Sequence, residues 1–116
     1  MPLRDYRGYL WDITIACEHI QRFAAEKQLE DYLNNTLLRS AIERQLIILG
    51  EALTQANKHF PHTSEDIPNI RSIIGLRNRL VHAYLHIDDR VVWGIVVDDV
   101  PRLLMSAKQL LATYDG

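Results

Sequence analysis

The chain is predicted to fold as an all-α domain, an up-down antiparallel bundle of four main helices. Two observations carry this. Apolar residues recur at steps of three or four through every long segment, the spacing that gathers them on one face of a helix. Glycine and proline are scarce, five and four, and their positions divide the chain into helices. Strand signals are weak: the β-branched Val91-Val92 and Ile95-Val96-Val97 sit in a long segment with helical spacing and charged flanks.

The first helix is expected from about Arg4 to Lys27, with Tyr6, Tyr9, Leu10, Ile13, Ala16, Cys17, Ile20 and Phe23 on its apolar side. Asp12, Glu18 and Arg22 fill the opposite side. A helical turn follows around Leu29 to Leu33, and Asn34, Asn35 or Thr36 can cap the next helix. That second long helix spans about Thr36 to His59. Its wide apolar band, from Leu37 to Ala56, predicts contact with more than one neighbour. Gly50 within it costs about 1 kcal/mol of helix propensity relative to alanine, which points to a close helix–helix approach there.

Phe60-Pro61 stops this helix, and His62 to Ile67 reads as a polar loop. Pro68 suits the first position of a third helix, where its missing N–H is not needed. Ile70, Ile73 and Ile74 begin the buried stripe, and the helix is expected to reach His82 or Tyr84. Asp88 is the expected N-cap of a last helix over about Asp89 to Tyr114, kinked or broken after Val100 by Pro101. The short connections make successive helices antiparallel.

At 116 residues the chain is one domain, residues 1–116, able to bury a core without disulfides or metals. A formal net charge of −2 gives it no general attraction for polyanions, which speaks against coating nucleic acid through bulk charge. An enzyme that grips RNA in one local positive cleft remains open. Cys17, alone and among apolar residues, excludes an intramolecular disulfide and a cysteine zinc site, and reads as an inert buried thiol. With no signal peptide and no apolar run long enough for a bilayer, the expected setting is cytoplasmic, without membrane contact.

The informative stretch is Arg77-Asn78-Arg79-Leu80-Val81-His82-Ala83-Tyr84. Arg77 falls on the stripe of Ile70, Ile73 and Ile74, an unexpected place for a charge unless it has a partner. Glu43 or Glu51 on the neighbouring helix could supply one. Asn78 and His82 are four apart and stack one turn above another. If the helix persists, Tyr84 returns to within about 20° of Arg77. Arg77, Asn78, His82 and Tyr84 would then share one edge, while Arg79 points about 200° away and is a candidate for binding phosphate.

The run Arg77-x4-His82-x-Tyr84, with a polar residue directly after the arginine, resembles the R-x4-6-H motif of HEPN domains. More narrowly it is similar to the R-x4-H-x-Y motif of HepT toxins from HEPN–MNT toxin–antitoxin pairs. Leu49-Gly50-Glu51-Ala52 resembles the Gly-Glu-Ala of that family; Ile87-Asp88, Trp93 and Asp99-Val100-Pro101 resemble its last helix. The resemblance covers nearly the whole chain.

It implies a homodimeric, HEPN-like helical bundle that places both subunits' motifs at one interface cleft and cleaves RNA without a metal or cofactor. The chemistry suits the residues. The His82 imidazole can take a proton from a ribose 2′-OH or give one to the leaving 5′-oxygen. Arg77 can stabilise charge on a phosphorane-like transition state, and Asn78 can orient His82 or bind a phosphate oxygen. A 2′-OH nucleophile restricts substrates to RNA and leaves a 2′,3′-cyclic phosphate. Tyr84 can stack on a base or bind phosphate, and in the family it is also where an MNT-type nucleotidyltransferase antitoxin attaches AMP. A dimer is expected too from the broad apolar band of the second helix, with Trp93, Tyr6 and Tyr9, which exceeds one bundle seam.

Other constellations are weaker. His82 and His86 are four apart without a His-Glu-x-x-His pattern, and His59 and His62 flank a proline. Asp88-Asp89 reads as a helix start and Asp98-Asp99 as an exposed face, so no metal site is expected. The alternative to a ribonuclease is a non-catalytic HEPN module in which the same cleft holds a nucleotide or docks a nucleotidyltransferase.

Overall fold

The computed structural model describes residues 5–82 and 86–115, and every regular element among them is helical. Helix α1 (Tyr6–Ala24) starts where the Asp5 carboxylate accepts the Arg7 N–H at 3.0 Å. A short helix, α2 (Leu29–Asn34), precedes α3 (Thr36–His59), which Asn35 caps by accepting the Leu38 N–H at 3.0 Å. The chain continues through one turn, α4 (Thr63–Asp66), to α5 (Ile70–Leu80). The last arm consists of α6 (Asp89–Gly94), capped by Asp88, a π-helical stretch (Ile95–Asp99) and α7 (Val100–Asp115).

Helix α1 lies between α3 and α7, and α3 lies between α1 and α5. The pairing is antiparallel. Tyr9 stacks beside His59 at one end of α1 while His19 meets Gln45 further along, so α3 runs back past α1. Leu10, Ile13, Cys17, Ile20, Ile42, Leu46, Leu49, Leu53, Ile73, Val92 and Leu103 are wholly shielded and form one core. The wide band on α3 is thus used on both of its flanks, as expected. Among the described residues no helix is long and apolar enough to cross a membrane.

Several local expectations need correction. The stretch His62 to Ile67 is not all loop, because Thr63–Asp66 closes one helical turn. The Thr63 hydroxyl, fully buried, donates to the Phe60 carbonyl at 2.6 Å and so finishes the end of α3. Pro68 is not the first residue of α5. Asn69 takes a left-handed backbone conformation (φ 64°), which asparagine tolerates, and the helix opens after it at Ile70.

Pro101 leaves the last arm helical but not regular, the irregularity falling just before Val100 rather than after it. In an α-helix its ring would collide with the carbonyl four residues earlier. The strain is taken up upstream, where the Val100 N–H bonds the Ile95 carbonyl five residues back, and α7 continues through the proline. Tyr6, Tyr9 and Trp93 are not surplus apolar surface either. Tyr6 packs on Phe60 and His62 at the end of the bundle, Tyr9 sits against His59 and Phe60, and Trp93 stacks on the buried Tyr32 at 5.2 Å. Burial pushes the Tyr6 phenol up to about 12, so it stays a neutral donor to Asp66, 3.2 Å away. The exposed apolar side chains are others, among them Trp11, Ile15, Leu37 and Met105.

Candidate active site

Arg77 owes its place to two neighbours on α3. Ile70, Ile73 and Leu76 bury one face of α5, and Arg77 follows on the edge of that face, where α5 lies against α3. At Gly50 the two helices come so close that a Cβ there would stand 2.3 Å from the Arg77 Cβ and 2.7 Å from its Cγ. The close approach expected at Gly50 is therefore an approach to Arg77 itself. One residue on, the Glu51 carboxylate takes the Arg77 Nη2 at 2.7 Å. Glu51, not Glu43, is the partner.

Glu43 stands elsewhere, where burial and then the nearby Asp89 raise its carboxyl above the usual value of 4.5, against the pull of Arg39. The second guanidinium nitrogen of Arg77, Nη1, donates to the Asn78 side-chain oxygen at 3.0 Å. Its Nε is shielded from solvent and has no acceptor among the described residues. The arginine is held by its stem, its Glu51 edge and its Asn78 edge.

His82 is not on the helix. The last turn of α5 closes at Leu80, with the Val81 N–H bonded to the Arg77 carbonyl and the His82 N–H to the Arg79 carbonyl, both at 3.1 Å. The expected helical stacking of Asn78 and His82 is replaced by a fold-back: the His82 Nδ1 meets the Asn78 carbonyl. A carbonyl can only accept, so Nδ1 carries the proton in that bond and the lone pair of a neutral ring lies on Nε2. Arg77, Asn78 and His82 are therefore linked through Asn78, by its side chain to one and its backbone to the other. Tyr84 lies outside the described residues.

Arg79 belongs to another surface. Its Nη2 donates to the His86 carbonyl at 2.9 Å, and it lines a groove of about 480 Å³ with Gly75, Leu76, Ile87 and Val91 on the other side of α5. The divergence from Arg77 follows from two residues of helical rotation. Arg77 instead opens on a cleft of about 370 Å³ between α1 and α3, whose polar lining includes Asp12, Arg44, Glu51 and Gln55. Sequence reading did not single out Arg44 or Gln55. Their signal was their spacing, since 44, 51 and 55 share one face of α3.

The histidine and aspartate groupings take separate roles. His62 pairs with Asp66 at 2.7 Å, His59 stacks on Tyr9, and Asp99 accepts from the Ser72 hydroxyl at 3.2 Å. No three metal-ligating groups converge among the described residues. Cys17 is fully buried, and burial, followed by the nearby Glu18, pushes its thiol up to about 12.

Residues 13–110 match the family model described as "Ribonuclease HepT-like". The chain belongs to this HepT-like family. The match spans α1 to α7 and so includes the Gly50–Arg77 contact and the His82 turn. Among its relatives is the "Probable ribonuclease HepT" of Thermococcus cleftensis, 37% identical over 86% of this chain and 90% of its own. A Methanocaldococcus jannaschii relative named "Putative RNase MJ1380" is 35% identical over 89% of this chain and 94% of its own. No solved structure matches the chain. For the HepT-like fold seen here, the Gly-Glu pair of α3 and the Arg-Asn pair of α5 form one joint.

Proposed function

We propose that this HepT-like chain is an endoribonuclease that cleaves RNA without a metal, through Arg77 and His82. The observation that carries the reading is the linkage of Arg77, Asn78 and His82 at the end of α5, beside the cleft that Arg44 also lines. The ribose 2′-oxygen attacks phosphorus as the bond to the 5′-oxygen breaks. One imidazole accepts the 2′-OH proton and another gives a proton to the leaving oxygen. Arg77, whose guanidinium is already fixed, stabilises the charge that builds on the phosphorane oxygens. The products are a 2′,3′-cyclic phosphate and a free 5′-OH.

Each chain brings one His82, and the two proton transfers are met by a homodimer that joins the motifs of two copies. The α1–α3 face favours this assembly. Ile15 is 47% exposed there, and a second cleft that it lines adjoins the Arg77 cleft through the shared Asp12 and Ile48. The pairing would be isologous, face to the same face.

The reading extends to a toxin restrained by an MNT-type nucleotidyltransferase antitoxin. Tyr84 stands two residues after His82 in sequence, no more than about 7 Å of chain away. AMP groups attached to it would bring phosphate charge and bulk within a short chain distance of His82 and exclude RNA.

The test is cleavage of end-labelled RNA in EDTA by the wild type, His82→Ala and Arg77→Ala, with end-group analysis. Cleavage leaving a cyclic phosphate, reduced by about 10² or more in each variant, is expected. Wild type that cuts no RNA and carries no added AMP by intact mass would overturn the ribonuclease reading and favour a nucleotide-binding or nucleotidyltransferase-docking module.

A further inference from the structure

We propose that Glu51 is the positioning residue of the site: it acts through Arg77, holding the guanidinium in the orientation that receives the scissile phosphate. The proposal rests on the ribonuclease reading above for its catalytic consequence, and on geometry for the rest. An arginine side chain has four rotatable bonds, and left in water it would sample many orientations. Here the first two carbons are wedged into the gap that Gly50 leaves, which fixes the stem. The stem alone does not fix the plane of the guanidinium. That plane is set by Glu51 on one terminal nitrogen at 2.7 Å and by Asn78 on the other at 3.0 Å, while Nε is shielded from solvent.

The two anchors are not equivalent. Asn78 sits on the same helix, next to Arg77, and moves with it. Glu51 comes from α3, so it ties the guanidinium to the rest of the bundle and to the cleft that Arg44 and Gln55 line. The Arg77 side chain remains 28% exposed and that of Glu51 47% exposed, so the pair is reachable by an RNA phosphate and its role is orientation more than stability. Removing the carboxylate leaves the guanidinium charged but free to turn, and a displacement of about 1 Å at a reacting group can cost about 100-fold in rate.

The experiment compares Glu51→Ala, Glu51→Gln, Arg77→Ala and the double variant Glu51→Ala/Arg77→Ala on one RNA substrate. Thermal melting of each serves as the fold control. Glu51→Ala is expected to lose on the order of 10- to 100-fold in kcat, and Glu51→Gln, which keeps an acceptor oxygen, to lose less. The double variant is expected to be no worse than Arg77→Ala alone, because a residue that acts through Arg77 has nothing left to orient. Losses that multiply in the double variant, or a Glu51→Ala as active as wild type, would overturn the proposal.

A second readout needs no catalysis. The shielded Arg77 Nε–H should give a slowly exchanging NMR signal in the wild type that exchanges much faster in Glu51→Ala. If the wild type cleaves no RNA, the ribonuclease reading fails while this exchange measurement still decides the positioning. Unchanged exchange in Glu51→Ala would sink it.

Discussion

Gly50 and Arg77 touch across the α3–α5 crossing, where the missing side chain of one leaves room for the first carbons of the other. Gly50→Ala would gain about 1 kcal/mol of helix propensity and lose more than that to the collision, a net destabilisation of about 1–3 kcal/mol. Gly75 on α5 is the control. Nothing lies within 4 Å of a Cβ placed there, so Gly75→Ala should stabilise by about 0.5–1 kcal/mol. Urea denaturation of both variants checks the pair; a Gly50→Ala as stable as Gly75→Ala would contradict the crossing.

Arg44 faces the Arg77 cleft and forms no ion pair among the described residues. It is expected to contact an RNA phosphate. Binding of a 2′-O-methyl oligonucleotide, which lacks the nucleophile, should weaken in Arg44→Ala. The slope of log affinity against log salt should fall in magnitude by about 0.7, the value for one phosphate contact on a single strand. An unchanged slope would place the RNA elsewhere.

Glu43 supplies a pH dependence with a definite sign. Its carboxyl holds a proton more tightly folded than unfolded, so between 4.5 and its raised value the native state carries more of the proton. Stability from this group therefore falls as pH rises through that window and is recovered on acidification below it. Glu43→Gln removes the burial cost and the repulsion from Asp89, and should stabilise the protein at neutral pH with a gain that vanishes below 4.5. Denaturation midpoints of both proteins at pH 7 and pH 4 provide the comparison; an equal gain at both would rule this out.

Ile15 tests the assembly. If the proposed two-fold contact forms through the α1–α3 face, Ile15→Glu should convert a dimer to monomer at micromolar concentration by light scattering, because it would bury a charge against its own copy. The helical content of the variant by circular dichroism should stay that of the wild type, since Ile15 is half exposed in the single chain. A wild type of monomeric mass would remove the dimer.

The helices themselves were legible from residue order. Thr36–His59 has the bounds its apolar spacing and flanking Asn35 and Phe60-Pro61 predict, because capping and periodicity are local properties of the chain. Arg77 was legible as an anomaly, a charge on an apolar stripe. The run to His82 was legible only by its resemblance to a family, since no spacing rule separates an Arg-x4-His site from a helix surface.

What residue order leaves open depends on distance between helices. Glu43 and Glu51 are both carboxylates on α3, and only the crossing at Gly50 selects Glu51 for Arg77. The end of α5 at Leu80, which turns His82 back onto Asn78, is set by backbone bonds that no strong stop residue announces. Tyr6, Tyr9 and Trp93 are large aromatics whose partners are distant in sequence, Phe60 and His59 at the end of α3 and Tyr32 on α2, so their burial required the packed bundle. Local pattern determines which face of a helix is apolar; which neighbour fills that face is settled when the helices meet.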